Sequence, residues 1–266
     1  MKPSSLIAAC NRLPLWRPAL RVWDFTVKAP TYDRWLYLWM HRLGRMGREE
    51  AAFFQQVIRP GMHVADVGAN LGLYSLLLAR CTGPAGRVYS FEPDALMAGA
   101  LRRNLAANGA THAEVFECAV GAATGNAVLQ RNAVNSGDNR LGTTTGTALH
   151  SEQTSVPVRA LQDVLQGRRL DFIKMDVQGW EGEALQGVAG LLDANPGLQI
   201  YFEFWPHGLR LAGTEITKLG ATLRALRLHV ILTEGGNGDE AVDLITLDRG
   251  MAPKAFTNLL ARRKNG

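Results

Sequence analysis

Between residues 62 and 120, short apolar runs alternate with longer helix-like stretches, and a glycine-rich turn follows the first run. Residues 62–67 read as a strand, 68–72 as a tight loop, 73–80 as a helix and 87–91 as a second strand. Asp94 stands where a helix N-cap belongs, Asn108 and Gly109 where that helix should stop, and residues 113–120 read as a third strand. Strand–helix–strand–helix–strand at this spacing implies a parallel sheet with right-handed crossovers and helices on its faces. The composition, 47% hydrophobic and 20% charged, is that of a globular chain and excludes disorder and fibres. At 266 residues the chain buries enough surface to fold without disulfides or a structural metal.

Residues 121–158 break the rhythm. They are rich in Gly, Ala, Thr, Asn and Ser, and predict an inserted hairpin or loop with strands near Val128 and Val156. A helix at 160–165, a strand at 170–175, a helix at 181–192 and a strand at 198–204 resume the pattern. A helix at 215–226 and a strand at 228–233 follow, and residues 242–247 predict a last, antiparallel strand. Ahead of the sheet, residues 32–43 and 48–58 carry helical spacing. The domain reading is therefore a helical cap over residues 1–55 and an α/β domain over 56–266.

Residues 1–60 hold ten Lys/Arg against four Asp/Glu, while the remainder is close to neutral. The same arm carries Trp16, Trp23, Trp35 and Trp39. An amphipathic cap packed on the main domain explains this best, and a lid over a substrate comes second. Nucleic acid is disfavoured because no recognition motif accompanies the charge. Three cysteines without a CxxC pair point to reduced thiols rather than disulfides or zinc. No apolar run reaches the roughly 20 residues of a membrane helix. Ile7-Ala8-Ala9-Cys10 looks like a lipoprotein box, but too short an apolar stretch precedes it. The expectation is a cytoplasmic protein.

The glycine loop carries the chemistry. A strand entering such a turn before a helix lets a ligand approach the backbone. Glu92 ends the second strand, 20 residues after Gly72, where a carboxylate can accept both ribose hydroxyls of a nucleoside. A dinucleotide loop would have glycine where Asn70 stands, and that side chain crowds a pyrophosphate. Asp66, just before the first glycine, suits a cationic amino group, as in the methionyl part of S-adenosylmethionine (SAM). A nicotinamide-dependent reductase on a related sheet is the alternative enzyme, and a non-catalytic SAM-binding protein the alternative outside catalysis.

Four blocks, VADVGANLGLYS (64–75), FEPD (91–94), NSGDNRLG (135–142) and FIKMDVQGWEGEAL (172–185), with a weaker fifth, FEFWPHGL (202–209), resemble the FkbM family of SAM-dependent methyltransferases. The family pattern has Glu where Gln178 stands, so one carboxylate is missing. The resemblance implies a class I methyltransferase (Rossmann-like) fold: a seven-stranded, mostly parallel sheet with helices on both faces and its last strand antiparallel. It implies methylation of a hydroxyl on a sugar, a polyketide or another natural product, with S-adenosylhomocysteine as co-product. By the same carry-over, Asp66, Gly68, Asn70 and Gly72 line the methionyl part, Glu92 holds the ribose, and Cys118 and Ala119 flank the adenine.

Methyl transfer is an in-line displacement, so the chain must align the nucleophile with the methyl group. A hydroxyl must also lose its proton. Candidates belong at the carboxyl ends of the strands. Lys174 and Asp176 are two apart and point to one side. Asp176, kept ionised by Lys174, suits orienting the acceptor hydroxyl, accepting its proton or meeting the cofactor's amino group. His207 offers a base near neutral pKa beside Glu203 at the end of the fifth strand, with Pro206 making a turn between them. Glu181 opens a helix, where a carboxylate is favoured. Asn135, Asp138 and Arg140 in the insert, with Glu181 and Glu203, make up the candidate substrate rim. No HExxH or histidine–carboxylate cluster suggests a metal, and the expected partner is a small-molecule or glycan acceptor with a free hydroxyl.

Overall fold

The computed structural model describes residues 19–30, 40, 47–133, 135–142, 152–233 and 240–263. Trp16, Trp35 and Trp39, and the helix expected at 32–43 apart from Met40, fall outside these residues. What is described of the arm begins with a hairpin, β1 (Leu20–Val22) and β2 (Phe25–Val27), then α1 (Arg48–Val57).

The main sheet grows from β3 (His63–Val67), α2 (Leu73–Thr82), β4 (Arg87–Phe91), α3 (Ala95–Ala107) and β5 (Ala113–Phe116). Asp94 does cap α3, accepting from the Leu96 N–H at 2.9 Å. After the short helix α4 (Leu161–Val164), the sheet continues through β10 (Phe172–Met175), β11 (Gln199–Phe204), β12 (Leu228–Leu232) and β13 (Thr257–Arg263). Its order is β12-β13-β11-β10-β3-β4-β5, and only β13 runs antiparallel to its neighbours. This is the class I methyltransferase sheet. Order reverses between β3 and β10, which leaves a crevice at their carboxyl ends.

Alternation along the strands builds a core on each face. Ala65, Val67, Ile173, Met175, Ile200, Phe202 and Phe204 pack on one side, with α5 (Glu181–Gln186) and α8 (Ile216–Ala225). Val64, Val88, Phe172 and Tyr201 face the other, with Phe54 of α1 and Leu76 and Leu77 of α2. The hairpin joins that second layer through two asparagines one turn apart, Asn104 in α3 and Asn108 at its C-cap. Asn108 accepts from the Thr26 N–H at 2.9 Å and donates to its carbonyl at 2.8 Å, and Asn104 accepts from the Lys28 N–H at 3.0 Å. These side chains satisfy the exposed edge of β2 as a neighbouring strand would.

Four expectations are corrected. The strand at 113–120 splits: β5 stops at Phe116, and β6 (Ala119–Val120) joins a separate sheet. That sheet, in the order β6-β9-β7-β8, also holds β7 (Gly125–Arg131), β8 (Arg140–Leu141) and β9 (Glu152–Arg159), so the insert is a small layer of its own. The helix at 181–192 is broken into α5 and α6 (Ala189–Ala194), because at Gly187 the chain passes the Gly121 carbonyl so closely that a Cβ would lie 2.2 Å from it. Residues 242–247 do not supply the last strand. Asp243 caps a helix there, α9 (Leu244–Gly250), by accepting from the Thr246 N–H at 2.8 Å, and β13 further on closes the sheet. Finally, Pro206 opens a helix, α7 (Pro206–Leu211), rather than a turn.

Candidate active site

A cavity of about 720 Å³ opens at the switch point, within the roughly 300–1,000 Å³ usual for ligand pockets. Its floor on the β3 side is the glycine loop. Gly68 (φ 80°) lies so close to β10 that a Cβ would meet the Asp176 carbonyl oxygen at 1.9 Å, so only glycine fits. Gly72 (φ 96°) lies outside the cavity lining and serves packing, since a Cβ there would meet Leu101 of α3 at 2.4 Å.

Asn70 also takes a left-handed backbone (φ 52°), which asparagine tolerates. Its amide donates to Ser136 Oγ at 3.1 Å, in a short 3₁₀ turn over Ser136–Asp138 of the insert. The block at 135–142 is thus a knuckle docked on the glycine loop. Asp94 holds it from the other side, accepting from Asn139 Nδ2 at 3.1 Å and Arg131 Nε at 2.9 Å.

Glu92 lines the cavity and is 6% exposed. Its oxygens accept the backbone N–H groups of Asn70 at 2.7 Å and Asp94 at 2.8 Å. Burial nevertheless pushes its carboxyl up to about 8. Cys118 and Ala119 line the same end, and burial raises the Cys118 thiol to about 11, so it acts as a small apolar group. A carboxylate held by two backbone N–H groups beside the glycine loop, with an apolar slot next to it, fits the nucleoside of SAM.

Beneath the loop runs a buried polar row. Ser90, Asp66, Lys174 and Tyr201 are cross-strand neighbours on β4, β3, β10 and β11. Asp66 lies behind the lining, fully buried. Ser75 Oγ donates to it at 2.6 Å, and the Lys174 ammonium lies 3.3 Å away. The cation beside Asp66 is therefore Lys174 rather than a ligand's amine. Burial works to lower the Lys174 pKa, but the charges of Asp66, Asp176 and Glu50 outweigh it and the net shift is upward. Lys174 stays an ammonium.

The opposite end of the cavity is acidic. Asp176, its side chain 36% exposed, lies 3.9 Å from Lys174 Nζ. Gln178 Nε2 donates to Asp176 Oδ1 at 2.8 Å and reaches Glu203 Oε2 at 3.5 Å. Burial, reinforced by the charges of Asp176 and Glu181, pushes Glu203 well above the carboxylate range. Glu50 of α1 accepts the hydroxyls of Tyr74 and Tyr201, the latter at 2.7 Å, and Asn258 Nδ2 at 3.4 Å. Arg140 closes the rim, paired with Asp138 and stacked 4.9 Å from the Trp205 ring.

Asp176, Lys174, Gly68, Asn70, Glu92, Cys118, Ala119, Asn135, Arg140 and Glu203 therefore meet at one cavity, while Asp66, Gly72, Glu181 and His207 do not line it. Glu181 is buried under the loop after β10, accepting the N–H groups of Val177 at 3.1 Å and Gly179 at 3.3 Å. His207 packs against Trp205 in α7, ring centroids 5.7 Å apart. Glu50, Tyr74, Tyr201 and Asn258 escaped the sequence reading, because they converge only through α1 and β13, far away in the chain. Among the described residues no group of three His, Cys, Asp or Glu is set to hold a metal ion.

Sheet order and cavity define a class I methyltransferase. The chain belongs to the FkbM methyltransferase family, whose domain model matches residues 66–219. It is similar to the methyltransferase sdnD of Sordaria araneosa, 29% identical over 155 residues that make up 47% of this chain and 60% of that relative. The match thus spans less than two thirds of the relative's length. Among solved structures, the precorrin-6y C5,15-methyltransferase of Geobacter metallireducens GS-15 aligns with a TM-score of 0.50 at 12% identity, covering 93% of this chain and 98% of that one. At that identity the likeness speaks for the fold.

Proposed function

We propose that the protein transfers the methyl group of SAM to a hydroxyl of a small-molecule or glycan acceptor, such as a sugar or a polyketide-type natural product. The observation that carries this reading is the pair of carboxylates, Asp176 and Glu203, at the carboxyl ends of adjacent strands in the donor's cavity. A hydroxyl is a poor nucleophile until a proton acceptor is at hand, whereas an amine or thiol needs less help. When bound, SAM supplies an electrophilic methyl on a positively charged sulfur.

The chain's own residues do the rest. Glu92 takes the ribose hydroxyls. Lys174 sets a positive charge 3.9 Å from the Asp176 carboxylate and so fixes the site's polarity. Asp176 orients the acceptor hydroxyl, and Asn135 and Arg140 of the knuckle with Glu203 and Trp205 border its place. In this reading Glu181 shapes the loop from below and His207 is a packing residue. Free thiols at Cys81 and Cys118 accord with a reducing, cytoplasmic setting. No helix among the described residues is long and apolar enough to cross a membrane.

The test is methyl transfer from labelled SAM to a panel of sugars, glycosides and polyketide alcohols, with matching amines and thiols as controls. Products carrying a new methyl ether support the reading. Transfer confined to the amines or thiols would overturn it.

A further inference from the structure

Gln178 lines the cavity between the two acids. It lies in the turn after β10 with a left-handed backbone (φ 54°), a conformation unfavourable for a side chain of this kind. The turn is held from below by Glu181, through the N–H groups of Val177 and Gly179. It is held from the side by α7, since a Cβ on Gly179 (φ 101°) would lie 2.3 Å from the Gly208 carbonyl oxygen. So fixed, the Gln178 amide stands between two acids. It gives one hydrogen bond to Asp176 at 2.8 Å and a longer one to Glu203 at 3.5 Å.

The two acids are not equivalent. Asp176 has Gln178 on Oδ1 and the Lys174 ammonium 3.9 Å from Oδ2, so both oxygens are engaged. Glu203 has the Gln178 contact on Oε2, and its Oε1 has no partner among the described residues, while the side chain lines the cavity. We propose that Gln178 is a positioning residue that ties Asp176 to Glu203, and that Glu203, through its unspent Oε1, takes the proton from the acceptor hydroxyl. This rests on the reading of the cavity as a hydroxyl methyltransferase site.

The step balances. The acceptor oxygen bonds to the methyl carbon as the carbon–sulfur bond breaks, its electron pair going to sulfur. The O–H proton passes to Glu203, which later returns it to water. The groups around Glu203 make it a good proton acceptor. Asp176 and Gln178 approach from the end of β10, Glu181 from α5, Glu50 from α1, and Asn258 is its cross-strand neighbour on β13. Burial first, and then the carboxylates, raise its proton affinity, and Lys174 opposes them. A carboxylate with raised affinity is a stronger base than an ordinary one, at the cost of working only once it has ionised.

The experiment compares wild type, Glu203→Gln, Gln178→Leu and Gln178→Glu, each loaded with S-adenosylhomocysteine. Thermal stability is followed from acid to alkaline pH, and kcat and KM are measured on the acceptor found in the screen above. Wild type should lose stability as pH rises past the carboxylate range, and Glu203→Gln should lose that component. Gln178→Glu, which sets a third acid between the two, should steepen it, and Gln178→Leu should shift it. In turnover, Glu203→Gln should cut kcat by about 10²–10⁴-fold with KM and S-adenosylhomocysteine affinity little changed. A Glu203→Gln stability profile that superposes on wild type, or a kcat within a few-fold of it, overturns the assignment of Glu203. Gln178→Glu behaving as wild type overturns the bridge. Failure of wild type to bind S-adenosylhomocysteine is a separate result, and it strikes the methyltransferase reading instead.

Discussion

Glu92 ties the glycine loop to the turn at Asp94 and also lines the cavity, where the proposed reading gives it the ribose. Folded, its carboxyl lies near 8; unfolded, it returns to the ordinary 4.5. The folded state therefore keeps a proton that the unfolded chain gives up between those values. Its contribution to stability is present below about 4.5 and is lost as pH rises through about 8. Ribose hydroxyls donate to a carboxylate, so binding favours the ionised form. Affinity for S-adenosylhomocysteine should climb as pH rises towards 8 and then level off, with proton release measurable by calorimetry in buffers of different ionisation enthalpy. A flat profile would mean that Glu92 is not the ribose acceptor. Asn70 offers a second test at this scale. Asn70→Gly keeps the left-handed turn but drops the bond to Ser136, so hydrogen exchange should quicken in residues 135–142 with the sheet unaffected.

This loop was largely legible in the sequence, because its constraints are local. The glycines, Glu92 and the Asp94 cap lie within 30 residues and each acts near its own place in the chain. Asn70 was read as crowding a phosphate, whereas its side chain serves a contact with Ser136, 66 residues away. Glu181 is counted in the substrate rim although its helix-start position already suits a carboxylate, and nothing local says that the carboxylate turns back under the preceding turn.

Among elements, the parallel strands declared themselves by apolar runs, and the edges and additions did not. The β1–β2 hairpin turns on Trp23 and Asp24, both with positive φ, in place of the Asn-Gly pair that usually marks such a turn. Its anchor is tertiary, the pair Asn104 and Asn108. Asn108→Ala leaves the Thr26 N–H and carbonyl without partners, and should cost about 1–2 kcal/mol and expose the hairpin to exchange. At β13 the mistake was one of period. Residues 242–247 look apolar enough for a strand, yet the Asp243 cap commits them to a helix. Leu259 of β13 is fully buried between its neighbours, so Leu259→Ala should destabilise the fold by about 2–5 kcal/mol in denaturant unfolding. A shift of only a few tenths would mean that β13 is an ornament on the sheet rather than its closing strand.

At the scale of the molecule, the family-matched segment, residues 66–219, supplies most of the cavity lining, and residues on either side of it, Glu50 and Asn258 among them, complete the lining. Glu50 and Asn258 come from outside that segment and meet Tyr74 and Tyr201 from inside it. The uneven charge and tryptophans of the arm marked it as a covering segment, but Glu50 itself carried no sequence signal. Glu50→Ala leaves two buried tyrosine hydroxyls without their acceptor. It should lower stability by about 1–3 kcal/mol and, because it lies away from Glu92, leave S-adenosylhomocysteine affinity within a few-fold of wild type.

The most direct test of the whole account is a calorimetric titration of wild type and Glu92→Ala with S-adenosylhomocysteine, with NADH as the comparison. The account predicts micromolar binding of S-adenosylhomocysteine to wild type, a loss of about 1–3 kcal/mol in Glu92→Ala, and no binding of NADH. Equal affinity in the two proteins, or NADH bound in its place, would contradict the assignment of the cavity at the end of β3 to SAM.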